Sequence, residues 1–372
     1  MTKSRDTANI IKQPFTQTLG TSNYRAGVNA GNSITSGGNF NVTVGDEAGT
    51  AITTGDRNVT IGFEAGTAIS TGGSNIAIGY QALKTEDGHG LNVAIGEESL
   101  ENLNAGADGY NVAVGASAGK NMTTGIQNTF VGGLAGDALT VGGNNVALGH
   151  LALSADTQGS SSVAVGMSAL TAQNSTSEAN MYNVAVGRSA GASVTTGTEN
   201  TLIGGLAGDA MTTGSYNTAV GKDSSGKVTT GSHNVSVGRM ALRETTTGSN
   251  NTALGRSALE ANTTASNNTA VGYQAMLSNT TGTVNAAFGR ETLASNTTGQ
   301  SNTAFGTNAL YSNTTGFDNT AVGYQAGYSN TDSAYNTFLG DHCGYNNTST
   351  KNTYLGHASG EAMTTGSRNT IL

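Results

Sequence analysis

The chain has 372 residues, of which 55 are Gly, one is Pro and one is Cys, and 16 Lys and Arg stand against 24 Asp and Glu for a formal net charge of −8. That balance disfavours binding along a phosphate backbone, which needs a basic stripe, and a lone Cys343 supplies neither a disulfide framework nor a zinc site. With 11% charged and 5% aromatic residues, the chain offers mostly Gly, Ala, Val, Thr and Asn, which excludes ordinary large-residue globular cores and leaves disorder or a repeat as the choices.

In chain order, the opening Met1-Thr2-Lys3-Ser4-Arg5-Asp6-Thr7 is polar and is followed only by Ile10-Ile11. It has no apolar stretch of the kind a secretory signal needs, and no stretch is long and apolar enough for a membrane helix. Residues 1–22 read as a separate N-terminal segment ahead of a repeat that occupies 23–372.

The repeat is Asn-x-small-aliphatic-Gly. Counting the closing glycine as position 0, it falls at Gly27, Gly45, Gly62 and Gly79 and continues to Gly340 and Gly356. Fifteen of the nineteen spacings are 17 residues. Insertions before Gly115 and Gly187 predict loops near Leu103–Asp108 and Asn174–Met181. Position −4 is Asn in 20 of 21 copies, Ser162 being the exception. Position −1 is large and apolar, +3 is small, +4 is mostly Gly or Leu, and +8 to +10 often read Thr-Thr-Gly.

These spacings predict an all-β parallel solenoid of about twenty 17-residue coils, each with a short strand before its glycine. Seventeen residues cannot enclose a wide core, so stacking must make the apolar ladders continuous. At ~4.8 Å per strand, the stack would extend roughly 95 Å. Glycines at 0 and +10 are expected to take positive φ. The Asn row forms either an amide ladder or a series of left-handed turn residues.

Alternation along the strand places −3 and −1 on one face and −2 on the other. With the larger −3/−1 residues assigned to the interior, −2 faces outward. It holds Ala77, Ala94, Ala113, Phe130, Leu202, Ala219, Ala253 and Phe338, too apolar for a solvated face. A strand apolar on both sides is buried on both sides, so these residues are the expected interface of a homo-oligomer, with threefold symmetry favoured.

Other chemistry finds little support. Gly221-Lys222-Asp223-Ser224-Ser225-Gly226-Lys227 mimics a phosphate loop, but Val228 stands where Ser or Thr is needed, and the segment is one more coil in register. The five His do not converge. Cys343 occupies the small +3 position and reads as a buried substitute for Ala. Asp46-Glu47 and Glu97-Glu98 diverge along a strand and do not make a glycosidase pair. No cofactor, metal or catalytic residue is expected, and the chain is read as a non-enzyme. Two exposed rows are candidates for glycan contact: Arg239, Arg256, Tyr273 and Arg290 at +1 in successive coils, and Tyr80 and Tyr324 in Tyr-Gln-Ala units.

Ser162-Val163-Ala164-Val165-Gly166-Met167-Ser168-Ala169 resembles the head repeats of YadA-like trimeric adhesins, whose shorter repeat builds a left-handed parallel β-roll of three chains. The 17-residue version, such as Asn268-Thr269-Ala270-Val271-Gly272-Tyr273-Gln274-Ala275, is similar to repeats in tail fibres of tailed phages, notably those of marine bacteria. Ser4-Arg5-Asp6-Thr7-Ala8-Asn9-Ile10-Ile11 resembles the virion-attachment segment of such fibres. The resemblance implies a homotrimeric, left-handed fibre located on the virion. Arg5, Asp6, Ile10 and Ile11 would attach it to a baseplate, tail or collar protein, and its shaft would hold or contribute to binding of a host glycan or protein. Neither nucleic acid nor membrane is an expected partner. The last coil, Asn369-Thr370-Ile371-Leu372, stops before its glycine, so a further segment or a distal protein is expected to cap it. The alternative is a bacterial surface adhesin or matrix filament. Ice binding through the Thr rows is a weaker alternative, because adjacent Thr at +8 and +9 point opposite ways.

Overall fold

The structure, a computed structural model, describes residues 20–372. Their regular elements are twenty-one short parallel strands in two compact units. The first unit runs up to Ser161, takes in Thr176–Ala179, and holds β1 (Tyr24–Ala26) to β8 (Val146–Leu148). The second comprises Ser162–Ser175 and Asn180–Leu372 and holds β9 (Val163–Val165) to β21 (Thr370–Ile371). Each is a parallel β-solenoid whose strands pair residue for residue with the next coil, as Val42 with Val59 and Val184 with Thr201. The all-β solenoid expected from the spacing is therefore the fold.

The facing of the strand is the reverse of the expectation. Ala77, Ala94, Ala113, Phe130, Leu202, Ala219, Ala253 and Phe338 are all 0% exposed within their own chain. They line the interior and cannot contact another copy. The −3 and −1 residues lie outside, where Val131, Ile203, Phe305 and Leu339 are exposed. The alternation itself was right. The error lay in giving the interior to the larger side chains, when a coil this small admits only one inward residue from a three-residue strand.

That inward residue is matched to the opposite wall. Where −2 is Ala, +4 can be a long side chain, as with Ala77 and Leu83 or Ala270 and Met276, all fully buried. Where −2 is bulky, +4 is Gly: a Cβ on Gly136 would lie 2.8 Å from the Phe130 ring, and one on Gly344 2.4 Å from that of Phe338. The coil before a bulky residue gives way too, since Gly119 and Gly327 face Phe130 and Phe338. Interiors pack at crystal-like density, so the two positions change together along the chain.

Buried amides form the other wall, and of the two accounts of the Asn row the ladder holds. The Asn58 N–H donates to Oδ1 of Asn41 at 2.9 Å, and Asn58 Nδ2 donates to the Gly72 carbonyl at 2.9 Å. The same pair of bonds recurs at Asn200, Asn234, Asn251 and Asn302. Each side chain thus satisfies two backbone groups that would otherwise be buried without partners.

Glycine at 0 has the expected positive φ, between +121° and +143°. It is also pressed against the next coil, where a Cβ on Gly255 would meet the Gly272 carbonyl oxygen at 2.4 Å. Glycine at +10 differs from expectation except at Gly366, whose φ is +106°. Elsewhere it is needed for space rather than for φ, since a Cβ on Gly55 would lie 2.3 Å from the Gly72 carbonyl oxygen. The left-handed turns fall instead on non-glycine residues such as Arg57 and Glu64. Their amides donate to Asn39 and Asp46 carbonyls of the preceding coil at 2.9 and 3.1 Å, bonds that offset the cost of the conformation.

Candidate functional surface

The insertions open where the spacing places them. Asn104 and residues 106–108 are exposed, while Leu103 and Ala105 turn inward. In the second unit Asn174 and Asn180 are exposed. The interior of each coil is closed by its own side chains, so what the protein presents is a set of parallel rows, one residue per coil.

In each unit the −3/−1 rows form a strip, with no charged residue in any described copy. Valine or Thr fills most −3 positions, and Val, Ile, Leu or Phe nearly every −1 position. Phe288 and Phe305 stack along it with centroids 4.5 Å apart.

At +1, Arg239, Arg256, Tyr273 and Arg290 are exposed on four successive coils. The Arg256 guanidinium lies 5.7 Å from the Tyr273 ring centroid. Lys222 precedes them in the same row, 3.7 Å from Asp223, and Arg290 contacts Glu291 at 3.1 Å. Tyr80 and Tyr324 are exposed as expected. Tyr80 stacks on Phe63 at 5.8 Å, and Tyr324 meets His342 edge-on at 5.3 Å. Arg5, Asp6, Ile10 and Ile11 lie outside the described residues.

A second aromatic row escaped the sequence reading. At +5, Tyr311, Tyr328 and Tyr345 stack at 5.2 and 5.0 Å. Burial, with the neighbouring tyrosines, raises the Tyr328 phenol above its ordinary range. Aligning the last coils at a 17-residue period would have exposed this row, since the signal is three tyrosines in one register.

Position +7 was also missed. It is buried and apolar in many coils, as at Ile52, Met122 and Val194, but becomes a second amide ladder from Asn262 onward. Asn279 donates to Asn262 at 3.0 Å and Asn296 to Asn279 at 2.8 Å. In one earlier coil it is Glu86, fully buried, which accepts from the amides of His89 and Ala105 at 3.1 Å each. Burial, the largest influence, raises its carboxyl above the ordinary range. Glu86, Asp87 and His89 bring one ligand atom each within 4.8 Å of one another, an arrangement that could hold a metal ion. The two backbone bonds to Glu86 give it a structural task in the turn as well.

The segment that mimics a phosphate loop is a coil in register. Ser224 and Ser225 turn inward onto Ser236 Oγ at 2.8 and 2.7 Å. Cys343 is fully buried at +3, its thiol donates to the Tyr354 carbonyl at 3.1 Å, and burial raises its pKa. Glu98 of the Glu97-Glu98 pair is bonded to Lys120 at 2.7 Å, and that bond lowers its pKa. In the Thr rows, the +8 hydroxyls donate to the next coil's carbonyl, as Thr229 to Thr246 at 3.1 Å, while +9 residues such as Thr230 and Thr247 point outward.

No protein-family model matches the chain, and no curated protein matches it.

Proposed function

We propose that this chain is a structural fibre protein of a bacteriophage, a shaft section of a tail or side fibre that holds or contributes to host-receptor binding. Its residues 1–22 are the attachment segment, and three copies pack in parallel. The observation that carries the proposal is the uncharged −3/−1 strip. Its −1 residues are half-buried or exposed and apolar in coil after coil, and contiguous exposed apolar surface marks an interaction site. Its pitch within each unit is one residue pair per coil, ~4.8 Å, and a second copy in parallel repeats at that same pitch unit for unit. A partner of unrelated fold would match it over a few coils at most. Covering the strip by threefold association therefore moves the interface from the −2 row, where the sequence put it, to the −3/−1 row.

The function that follows is mechanical. Amide ladders and matched −2/+4 packing tie each coil to its neighbours, and several chains displayed together raise avidity through effective concentration. Antibodies raised against the second unit provide the test. Labelling of a fibre on tailed-phage particles that encode the chain is the expected result, and labelling of a bacterial envelope with bare particles overturns the proposal.

A further inference from the structure

We propose that the +1 row of the second unit, formed by Lys222, Arg239, Arg256, Tyr273 and Arg290, is a binding track for a linear acidic polysaccharide. This deepens the fibre proposal by naming the class of surface ligand. It rests on that proposal only for where the ligand is met.

Backbone bonds set the row's spacing. The amides of Met240, Ser257, Gln274, Glu291 and Asn308 donate to the carbonyls of Lys222, Arg239, Arg256, Tyr273 and Arg290 at 2.8–3.1 Å. Each row residue is thereby held one coil from the next, ~4.8 Å apart, close to the length of one pyranose ring. A chain of uronate sugars lying along the row would bring successive carboxylates to successive coils.

The charges are available at the centre of the track. Lys222 and Arg290, at its ends, lie beside Asp223 and Glu291. The +2 neighbours of Arg239, Arg256 and Tyr273 are Met240, Ser257 and Gln274, none of which is acidic. The Arg256 guanidinium is set over the Tyr273 ring at 5.7 Å, a cation–π contact that holds it in the row, and a guanidinium pairs with carboxylates through two parallel bonds. The exposed tyrosine adds apolar surface for the C–H face of a sugar. The run is also local: in the first unit the same register holds Phe63, Tyr80, Glu97 and His150 and no Lys or Arg. On a chain of net charge −8, such a concentration of cations in one row stands against the overall field. A nucleic acid fits less well, because one row of four cations and one ring supplies neither a groove nor a stacking platform for successive bases.

The test uses the full-length chain with polygalacturonate, neutral dextran and single-stranded DNA as probes, by affinity electrophoresis at low and high salt. Arg239→Glu/Arg256→Glu is compared with Arg57→Glu/Arg368→Glu, which changes the net charge equally at exposed positions off the track. The expected result is binding of polygalacturonate but not dextran, weakened by salt. It should fall about tenfold or more in the track variant, as the loss of charge-assisted bonds implies, and be retained in the control. No polygalacturonate binding by the parent chain, equal loss in both variants, or DNA binding at least as tight overturns the proposal. Absence of the chain from virions would defeat the fibre proposal and leave this outcome unaffected.

Discussion

Oε1 of Gln173 accepts a hydrogen bond from Nδ2 of Asn183 at 2.9 Å, and Nε2 of the same glutamine donates to the hydroxyl of Ser162 at 3.0 Å. Ser162 is the one copy that lacks the −4 asparagine, and its short side chain carries a hydroxyl in place of the amide. Gln173, at +7 of the same coil, extends its amide into the row and stands in for the missing one. The exception in the repeat is thus repaired from another position.

Removing the substitute should expose the defect. Gln173→Leu is expected to cost about 1–3 kcal/mol, the loss of two buried side-chain hydrogen bonds. Adding Ser162→Asn should return most of that loss, because the row then has its usual amide and +7 an apolar residue like Val194 or Met211. Urea melts of the two variants measure both effects, and an unrecovered double variant would contradict the substitution argument.

The matched walls predict a second pair of outcomes. Gly136→Ala places a Cβ 2.8 Å from the Phe130 ring at a φ of +58°, and overpacking of this kind costs about 1–3 kcal/mol. Phe130→Ala leaves a cavity opposite a glycine and should cost about 3–5 kcal/mol. In the combined Gly136→Leu/Phe130→Ala variant, which copies the Ala77/Leu83 coil, the loss should be smaller than in Phe130→Ala alone. Thermal melts decide the order.

Asp137 and Asp209 share the +5 register in two nearly identical coils. Burial, the largest influence on each, raises its carboxyl above the ordinary range. A raised carboxyl favours the protonated folded state, so its charge opposes folding at neutral pH, and the penalty fades as pH falls through the folded value toward the unfolded one. Asp137→Asn should therefore stabilise the protein at pH 7, by no more than about 1 kcal/mol because solvent screens a partly exposed group. The gain should vanish near pH 4 and below. A gain that grows in acid would reverse the sign of the argument.

The solenoid was legible because its signal is periodic. Asn at −4 and Gly at 0 recur often enough that spacing alone gives the coil, the loops and the slot of Cys343. The inward face was not legible from hydrophobicity, since Val and Ile at −1 outrank Ala at −2 on any such scale. The better guide was in the same row of letters. Asn at −4 shares its face with −2, and an amide repeated in nearly every coil belongs where backbone groups need partners. Gln173 and the Tyr311–Tyr328–Tyr345 stack were hidden for a different reason. Each is a departure confined to a few coils, and its role is set by what lies one coil away rather than by its neighbours in sequence.

The strip formed by −3 and −1 carries the central claim, and sedimentation velocity of the purified chain at micromolar and lower concentration tests it most directly. The parent chain should sediment at three times the chain mass. Leu254→Lys/Phe305→Lys, which places charges on the strip without touching the interior, should shift it to a folded single chain with unchanged circular dichroism. A parent chain that sediments as a monomer, or a variant that stays trimeric, would contradict the account.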